Sequence, residues 1–246
     1  MNQSFNIPDA RLHWNYFLAL EKDLETMSRY VEFCEDNLNT YSIEFAHLLL
    51  STASEADTLA KCICGIIEPN KKPKNIDDYR RIIKSAEESE TYGVDFGHKS
   101  PPIVAEKHKH RLSDLEIHFP RYGLKSIPWA SWAKDENPDW WHSYNKVKHE
   151  RNRHFNKATL RNSLHALAGL LALNYIYCRY QLSKGKLHLR YQYRGKSVTR
   201  CMKPESTFIR FGKKFYDNDI AELGSYIISV SHEVDRLSGR MSEIDD

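Results

Sequence analysis

Residues 140–169 read WWHSYNKVKHERNRHFNKATLRNSLHALAG, and this stretch decides the fold. It opens with paired tryptophans, passes through a run rich in Asn, Lys, His and Arg, and closes in an apolar segment. That segment predicts a helix from about Ala158 to Leu182, apolar nearly all round, and such helices are usually central in a bundle. We therefore predict a helical domain in which a polar run lies directly beside the core.

Four more helices surround this centre in the prediction. Apolar residues recur at helical spacing over 9–36 and over 42–67, after the favourable starts Pro8-Asp9 and Ser42. A shorter helix follows over 76–88, with Asp77 as its predicted cap. Pro138-Asp139 begins the helix that carries the polar run.

The rest of the chain contains strand signals. Within an insertion at about 93–132, alternating apolar residues at 115, 117 and 119 predict a strand. After Gly185 the period falls to two, which predicts a hairpin; residues 208–211 could add a third strand, and a last helix is expected over 219–237. The predicted fold is mainly α, with a helical domain at 1–182 and a basic β-hairpin and C-terminal helix at 183–246.

Composition limits the classes of protein. The chain has 246 residues, of which 28% are charged and 12% aromatic, as in an ordered protein with a sizeable core. No apolar run approaches the roughly 20 residues of a membrane helix, and the first residues lack a secretory signal pattern. Five cysteines, an odd number, favour free thiols, so we expect a cytoplasmic protein without a membrane contact. No metal or cofactor motif is present.

Charge is uneven along the chain although the net charge is only +3. Between residues 179 and 214 there are eleven Lys or Arg and one acid, Glu205. Such an excess can attract a polyanion, or it can simply keep the protein soluble; both interpretations stay open. If the tail binds nucleic acid, the expected phosphate contacts are Arg190, Arg194, Lys196 and Arg200. Its tyrosines could stack on bases or pack in the core.

On a continuous helix the polar run divides into faces. Asn145, Lys148, His149 and Asn152 fall within one arc of about 100°. A neighbouring stripe is mostly apolar and consists of Tyr144, Val147, Arg151 and Phe155. The remaining face, which includes His142 and Lys146, is expected to be solvated.

Arg151 lies on that stripe and Asp57 lies on the apolar stripe of the second helix. Both are charged residues at positions where an apolar residue is expected. A buried carboxylate is costly without a cation, and an Arg–carboxylate pair can be bidentate. We therefore predict an Arg151–Asp57 ion pair, which serves either as a structural link or as an anchor for a site.

A site on the arc would have a definite chemistry. His149 could transfer protons near neutral pH, and Lys148 or Arg151 could stabilise an anionic phosphorane. Asn145 completes the candidate catalytic set, with Asp57, Asn152, Tyr144 and His154 in support. Such a set can cleave RNA without a metal, with the ribose 2′-hydroxyl as nucleophile. A solvated face with no catalytic role is the alternative.

The arrangement resembles the HEPN superfamily, helical-bundle proteins that include RNA-cleaving toxins and phage-defence proteins. The resemblance covers roughly residues 10–180. It depends on paired long helices with the acidic segment ASEAD at 53–57, and on the later helix YNKVKHER at 144–151 followed by an apolar helix. It implies a HEPN-like bundle, action on RNA, a homodimer and an antitoxin or defence-complex partner protein.

The sequence departs from the family's nuclease motif, in which four to six residues separate an Arg from a following His. Here His149 precedes Arg151, and His154 lies only three positions after it. Two hypotheses follow: a metal-independent endoribonuclease, and a non-catalytic binding module for nucleic acid, a nucleotide or a partner protein.

Overall fold

The computed structural model describes residues 9–88, 111–183, 202 and 205–212. These residues form a mainly helical fold with a small three-stranded antiparallel sheet. The helices are α1 (Asp9–Met27), α2 (Ile43–Ile67), α3 (Ile76–Glu88), α4 (Asp139–His154) and α5 (Leu160–Ser183). The strands are β1 (Ile117–Phe119), β2 (Leu124–Ser126) and β3 (Arg210–Phe211), in the order β2-β1-β3.

Helix α5 is the central element, as its composition predicts. Every residue from Ala166 to Cys178 is buried, and α5 packs against α1, α2 and α4. Ser163 at its start also donates a hydrogen bond to the carbonyl of Phe45, 3.2 Å away in α2. An apolar surface on all sides thus lets one helix hold three others mainly by burial.

A tryptophan cluster, made of Trp129, Trp132, Trp140 and Trp141, joins α4 to α5. Its indole rings meet edge to face, with centroids 4.6–5.6 Å apart. Trp129 donates to the carbonyl of Gly169 at 3.1 Å, and Trp140 donates to the carbonyl of Pro128 at 2.8 Å. The rings therefore bury large apolar areas with two of their N–H groups satisfied.

Helices α2 and α3 match their predicted ranges. Ser42 caps α2, since its hydroxyl accepts from the amide of Phe45 at 3.0 Å. Helix α3 is capped by Asn75 and not by the predicted cap Asp77. The side-chain oxygen of Asn75 accepts a hydrogen bond from the amide of Asp78. Helix α5 begins at Leu160, two residues after its predicted start.

The prediction that the first helix extends to residue 36 is wrong, because α1 ends at Met27. The Ser28 hydroxyl donates to the carbonyl of Glu25 at 2.6 Å, and the turn after Met27 tightens. The chain then places Phe33, which is 1% exposed, against the rings of Tyr122 and Phe208. Burial of this ring by residues distant in sequence outweighs the local helical pattern.

The residues around β3 attach the C-terminal part of the chain to α1 and β1. Glu21 is buried and accepts from the Ser206 hydroxyl and from the Phe208 amide, the latter at 3.2 Å. Burial raises the pKa of Glu21, while these hydrogen bonds act in the opposite direction. Of the third strand expected at 208–211, the structure has the two residues of β3, and they pair with β1, with His118 opposite Arg210. The predicted hairpin after Gly185 and the last helix lie outside the described residues.

A polar contact links α1 to α2. The Nδ1 of His13 lies 2.5 Å from a carboxylate oxygen of Glu55, and Tyr177 of α5 packs edge-on against the ring. Burial lowers the pKa of His13, but hydrogen bonds with Cys62 and Glu55 outweigh it and raise the pKa to about 9. The imidazole is therefore cationic at neutral pH.

We expect Gly169→Ala to destabilise the protein, because its Cβ would lie 3.0 Å from Trp140 and 3.3 Å from Trp129. These indoles are fixed by packing, so we expect a loss of about 1–3 kcal/mol in the free energy of unfolding. Chemical denaturation measures it. Gly65→Ala is the matched control in α2, where an added Cβ meets nothing within 4 Å. The control should be neutral or stabilising by up to about 1 kcal/mol; equal effects would contradict the packing argument.

The His13–Glu55 contact predicts a pH-dependent stability. Because the folded-state pKa of His13, about 9, exceeds the ordinary 6.5, its stabilisation is complete below about pH 6.5 and is lost as pH rises through about 9. We expect His13→Gln to lower the free energy of unfolding by on the order of 2 kcal/mol near pH 6 and by much less near pH 10. Denaturant titrations at the two pH values check this. An equal loss at both would count against it.

Candidate functional site

A cleft of about 620 Å³ lies where α4, the start of α5 and residues 39–41 meet. Its lining consists of polar side chains, several of them basic, and the aromatic ring of Tyr41. The lining residues are Asn39, Tyr41, Asp139, His142, Ser143, Lys146, Asn156, Lys157, Thr159, Arg161 and Asn162. All of these side chains carry a group that can donate or accept a hydrogen bond.

Backbone hydrogen bonds hold the walls of the cleft together. The amides of Leu160 and Arg161 donate to the carbonyls of Thr40 and Leu38, at 2.8 and 2.9 Å. Tyr41 and Thr159 form an isolated β-bridge beside them. The segment before α2 is thus fixed to the start of α5, so the cleft is a preformed feature.

The first amides of α5 are not available to a ligand. Those of Leu160 and Arg161 are used as described, that of Asn162 donates to the Thr159 hydroxyl at 3.2 Å, and that of Ser163 donates to the Thr159 carbonyl. An anion in the cleft would therefore be bound by side chains and not by the end of the helix.

The side chains make the cleft electropositive. Lys146, Lys157 and Arg161 contribute three cations, whereas Asp139 is the only acid in the lining. Among the described residues, none of the four forms an ion pair within 4.0 Å, so their charges face the opening unneutralised. Three unpaired cations around one opening favour an anionic ligand such as a phosphate.

His165 lies one turn after Arg161 on α5 and is half-buried. Burial lowers its pKa to about 4; the charge of Arg161 adds to this effect, and that of Asp139 opposes it. His165 is therefore neutral at physiological pH and adds no charge to this region.

Tyr41 gives the cleft an exposed aromatic ring. The residue is 52% exposed, and its ring is held edge-on against Phe155, with centroids 5.6 Å apart. A ring that has one aromatic contact and is about half exposed can stack with a planar ligand, including a nucleobase.

The predicted catalytic arc lies on a different part of α4 from the cleft lining. Asn145 is half-buried, Lys148 and His149 are exposed, and the Lys148 ammonium lies 5.4 Å from the centroid of the Tyr144 ring. Tyr144 is buried, as its stripe predicts. The side chain of His149 makes no hydrogen bond or ion pair with any described residue. No described group orients this imidazole for proton transfer.

Helix α4 is kinked within the polar run. Glu150 has φ −138° and ψ 44°, outside the helical region, so the faces assigned to Arg151 and Asn152 from a continuous helix are wrong. Arg151 and Asn152 are exposed, and His154 lies 3.9 Å from the carboxylate of Glu150.

The predicted Arg151–Asp57 ion pair is also wrong. One carboxylate oxygen of Asp57 accepts from the Tyr79 hydroxyl at 2.9 Å, and the other is paired with Lys61, four residues later on α2. Burial and this hydrogen bond raise the pKa of Tyr79. Asp57 therefore joins α2 to α3, and neither of these partners belongs to the polar run.

Other sequence predictions fall outside what the structure tests. The tail residues Arg190, Arg194, Lys196 and Arg200 lie outside the described residues. Within the described ranges, no group of three or more His, Cys, Asp or Glu side chains could hold a metal ion. In the same residues no helix has both the length and the apolar character needed to cross a membrane.

Sequence reasoning missed the cleft, although its signals are present. His142 and Lys146 are four residues apart and so share a helix face, as do Lys157 and Arg161 where α5 begins. The first pair was assigned to a solvated face. Only the long-range backbone bonds to Leu38 and Thr40 make these pairs walls of one opening.

Comparison with models of protein families, with curated proteins and with solved structures finds no match to this chain. The HEPN resemblance therefore remains a hypothesis drawn from the sequence.

The hydrogen bond from Tyr79 to Asp57 should contribute to the stability of the fold. Tyr79 is 1% exposed, so Asp57→Ala would leave its hydroxyl without an acceptor and should lower the free energy of unfolding by about 1–3 kcal/mol. Arg151→Ala should change it by no more than about 0.5 kcal/mol. Denaturant titration of both variants and of the double variant provides the measurement. If the effects of the two substitutions on the free energy of unfolding were not additive, the Arg151–Asp57 ion pair would be supported after all.

Proposed function

We propose that this chain is an RNA-directed protein with a HEPN-like bundle, and that the cleft beside α4 and α5 binds a single-stranded segment of RNA. The observation that carries the proposal is the pairing of three unneutralised cations, Lys146, Lys157 and Arg161, with the exposed ring of Tyr41 in one preformed cleft. Phosphates on cations and bases on aromatic rings are the two contacts by which proteins hold single strands.

The remaining lining residues suit the same ligand. Asn39, Asn156 and Asn162 bring amide groups that can both donate and accept, as base edges and ribose hydroxyls require. Asp139 can accept from a ribose hydroxyl or an exocyclic amine, and its negative charge is outnumbered by the cations. The cleft is thus chemically matched to a nucleotide unit rather than to an apolar molecule.

Binding without cleavage is the form of the proposal that the geometry favours. His149, the predicted acid/base, has no described orienting partner, and general acid–base catalysis needs a positioned proton-transfer group. A metal-independent endoribonuclease is the second candidate, because His142 lies in the cleft beside Lys146. The homodimer and an antitoxin or defence-complex partner are implied by the resemblance alone and remain predictions.

We expect salt-dependent binding to a short, fluorescently labelled single-stranded RNA, measured by fluorescence anisotropy. Lys146→Glu and Arg161→Glu should each weaken binding by about tenfold or more, and removal of one cation should reduce the salt slope by roughly 0.7. The matched control is Lys148→Glu, an equal charge change on the exposed arc of the same helix. If the control weakens binding as much as Lys146→Glu, the cleft is not the binding site.

The aromatic contact has its own test in the same assay. Tyr41→Ala should weaken RNA binding by roughly 1–3 kcal/mol, with the salt slope unchanged, because the variant removes stacking and no charge. Tyr41→Phe keeps the ring and should bind like the unmodified chain. If both variants bind RNA weakly, the contact is made by the Tyr41 hydroxyl and not by its ring.

Cleavage is checked on the same RNA in the presence of EDTA. Products that disappear with His142→Ala would favour the nuclease candidate with its centre in the cleft. Products that disappear only with His149→Ala would instead place the chemistry on the exposed arc. Intact RNA together with measurable binding would leave the binding module as the function.

A further inference from the structure

The cleft beside α4 and α5 has an excess of positive charge of a definite size. Its lining holds three cations, Lys146, Lys157 and Arg161, and one acid, Asp139, which leaves an excess of two positive charges. Each internal phosphodiester of RNA carries one negative charge, whereas a terminal phosphate monoester carries close to two at neutral pH. A terminal phosphate is therefore the group of an RNA strand whose charge best matches that of the cleft.

Asp139 does little to reduce the positive charge at the far end of the cleft. It is the first residue of α4, where the positive end of the helix dipole favours an acid. Seven residues, or roughly 10 Å along the helix axis, separate it from Lys146. The acid and the cation of this wall are thus at different levels of the cleft.

Lys157 and Arg161 belong to the other wall, on a turn whose backbone is fixed. The side-chain amide of Asn162 donates to the carbonyl of Lys157 at 2.8 Å, and the backbone amide of Arg161 donates to the carbonyl of Leu38 at 2.9 Å. Both side chains are exposed and only four residues apart. A terminal phosphate has three acceptor oxygens, so it can accept from an ammonium and a guanidinium at once.

One side of the cleft is closed to a passing strand. Two backbone hydrogen bonds, of 2.8 and 2.9 Å, and the β-bridge between Tyr41 and Thr159 join the segment before α2 to the start of α5. An RNA strand cannot pass between two segments that are hydrogen-bonded to each other, so this side receives the end of a strand more readily than its middle. The exposed ring of Tyr41 lies on the closed side, where it can stack with the terminal base.

We propose that the cleft binds RNA by a phosphorylated end, with the terminal phosphate held by Lys157 and Arg161 and the terminal base stacked on Tyr41. Lys146, on the wall formed by α4, contacts the first internal phosphate. This inference rests on the proposed binding of RNA in the cleft and names the part of the RNA that is bound. The group recognised is a phosphate monoester, which a 5′ end and a 3′ end can both supply.

The test is a competition in which unlabelled RNAs displace the labelled strand from the full-length chain, with fluorescence anisotropy as the readout. Three competitors share one sequence and carry a 5′-phosphate, a 3′-phosphate or hydroxyls at both ends. We expect at least one phosphorylated form to bind about tenfold more tightly than the hydroxyl form, because it adds a charge-assisted contact.

A fourth competitor separates the phosphorylated end from total charge. An RNA two nucleotides longer, with hydroxyl ends, has the same total charge as the phosphorylated forms and should gain no more than about twofold over the shorter hydroxyl form. An equal gain for this RNA, or equal affinity of all four, would overturn the inference while RNA binding stands. If none of the four binds, RNA binding itself is refuted and this inference falls with it.

Charge-removing variants test the assignment of the terminal phosphate. Lys157→Gln should reduce the preference for the phosphorylated end to about twofold or less, because one of the two cations on that phosphate is lost. Lys146→Gln should weaken the phosphorylated and hydroxyl forms by a similar factor and so keep their ratio. Lys148→Gln, outside the cleft, is the matched control and should change neither affinity.

The readout is a ratio of two affinities for one variant, so a partial loss of folded protein does not alter it. The Lys157 backbone carbonyl, which accepts from Asn162, is retained in Lys157→Gln. A Lys157→Gln variant that keeps the full preference would overturn the proposed phosphate site.

Discussion

Contact of the indoles of Trp140 and Trp129 with the backbone of Gly169 is the constraint on which the arrangement of α4 and α5 depends. A rigid ring placed 3.0 Å from where a Cβ would lie leaves room for hydrogen only, so the two helices approach at one level and in one orientation. The Trp129 N–H to the Gly169 carbonyl fixes that level further. Because α4 is placed in this way, its polar residues cannot slide relative to the start of α5, and the cleft between them keeps its shape.

The sequence predicts best those features that depend on interactions between residues close in the chain. Helices α2, α3 and α5 were predictable because their boundaries depend on local caps and on apolar periodicity. The end of α1 was not, because it depends on the burial of Phe33 against rings that are far away in sequence. For Asp57 the local signal was present in Lys61, four residues later, and a more distant partner was preferred wrongly. The kink at Glu150 has no evident signal in the sequence, and every face assigned beyond it was unreliable.

The cleft and the His13–Glu55 contact place polar groups beside the core in different ways. In the cleft, cations stand apart from one another with their charges unpaired, which keeps them available to a diffusing anion. In the His13–Glu55 contact, a cation and an anion are in direct contact and half-buried, which fixes the position of α1 against α2. The first arrangement suits reversible binding of a charged ligand, and the second suits a fixed link between two helices.

The pairing of β3 with β1 has a consequence for how the chain reaches its native state. His118 and Arg210 are neighbours in the sheet, although roughly ninety residues separate them in sequence. During synthesis on the ribosome, α1 to α5 are made before β3, so the helices can begin to collapse around α5 first. Until this segment arrives, one edge of β1 is unpaired and Glu21 lacks its donors Ser206 and Phe208. Completion of the sheet is therefore a late step, and a nascent chain that stalls before it exposes a strand edge open to association with other chains.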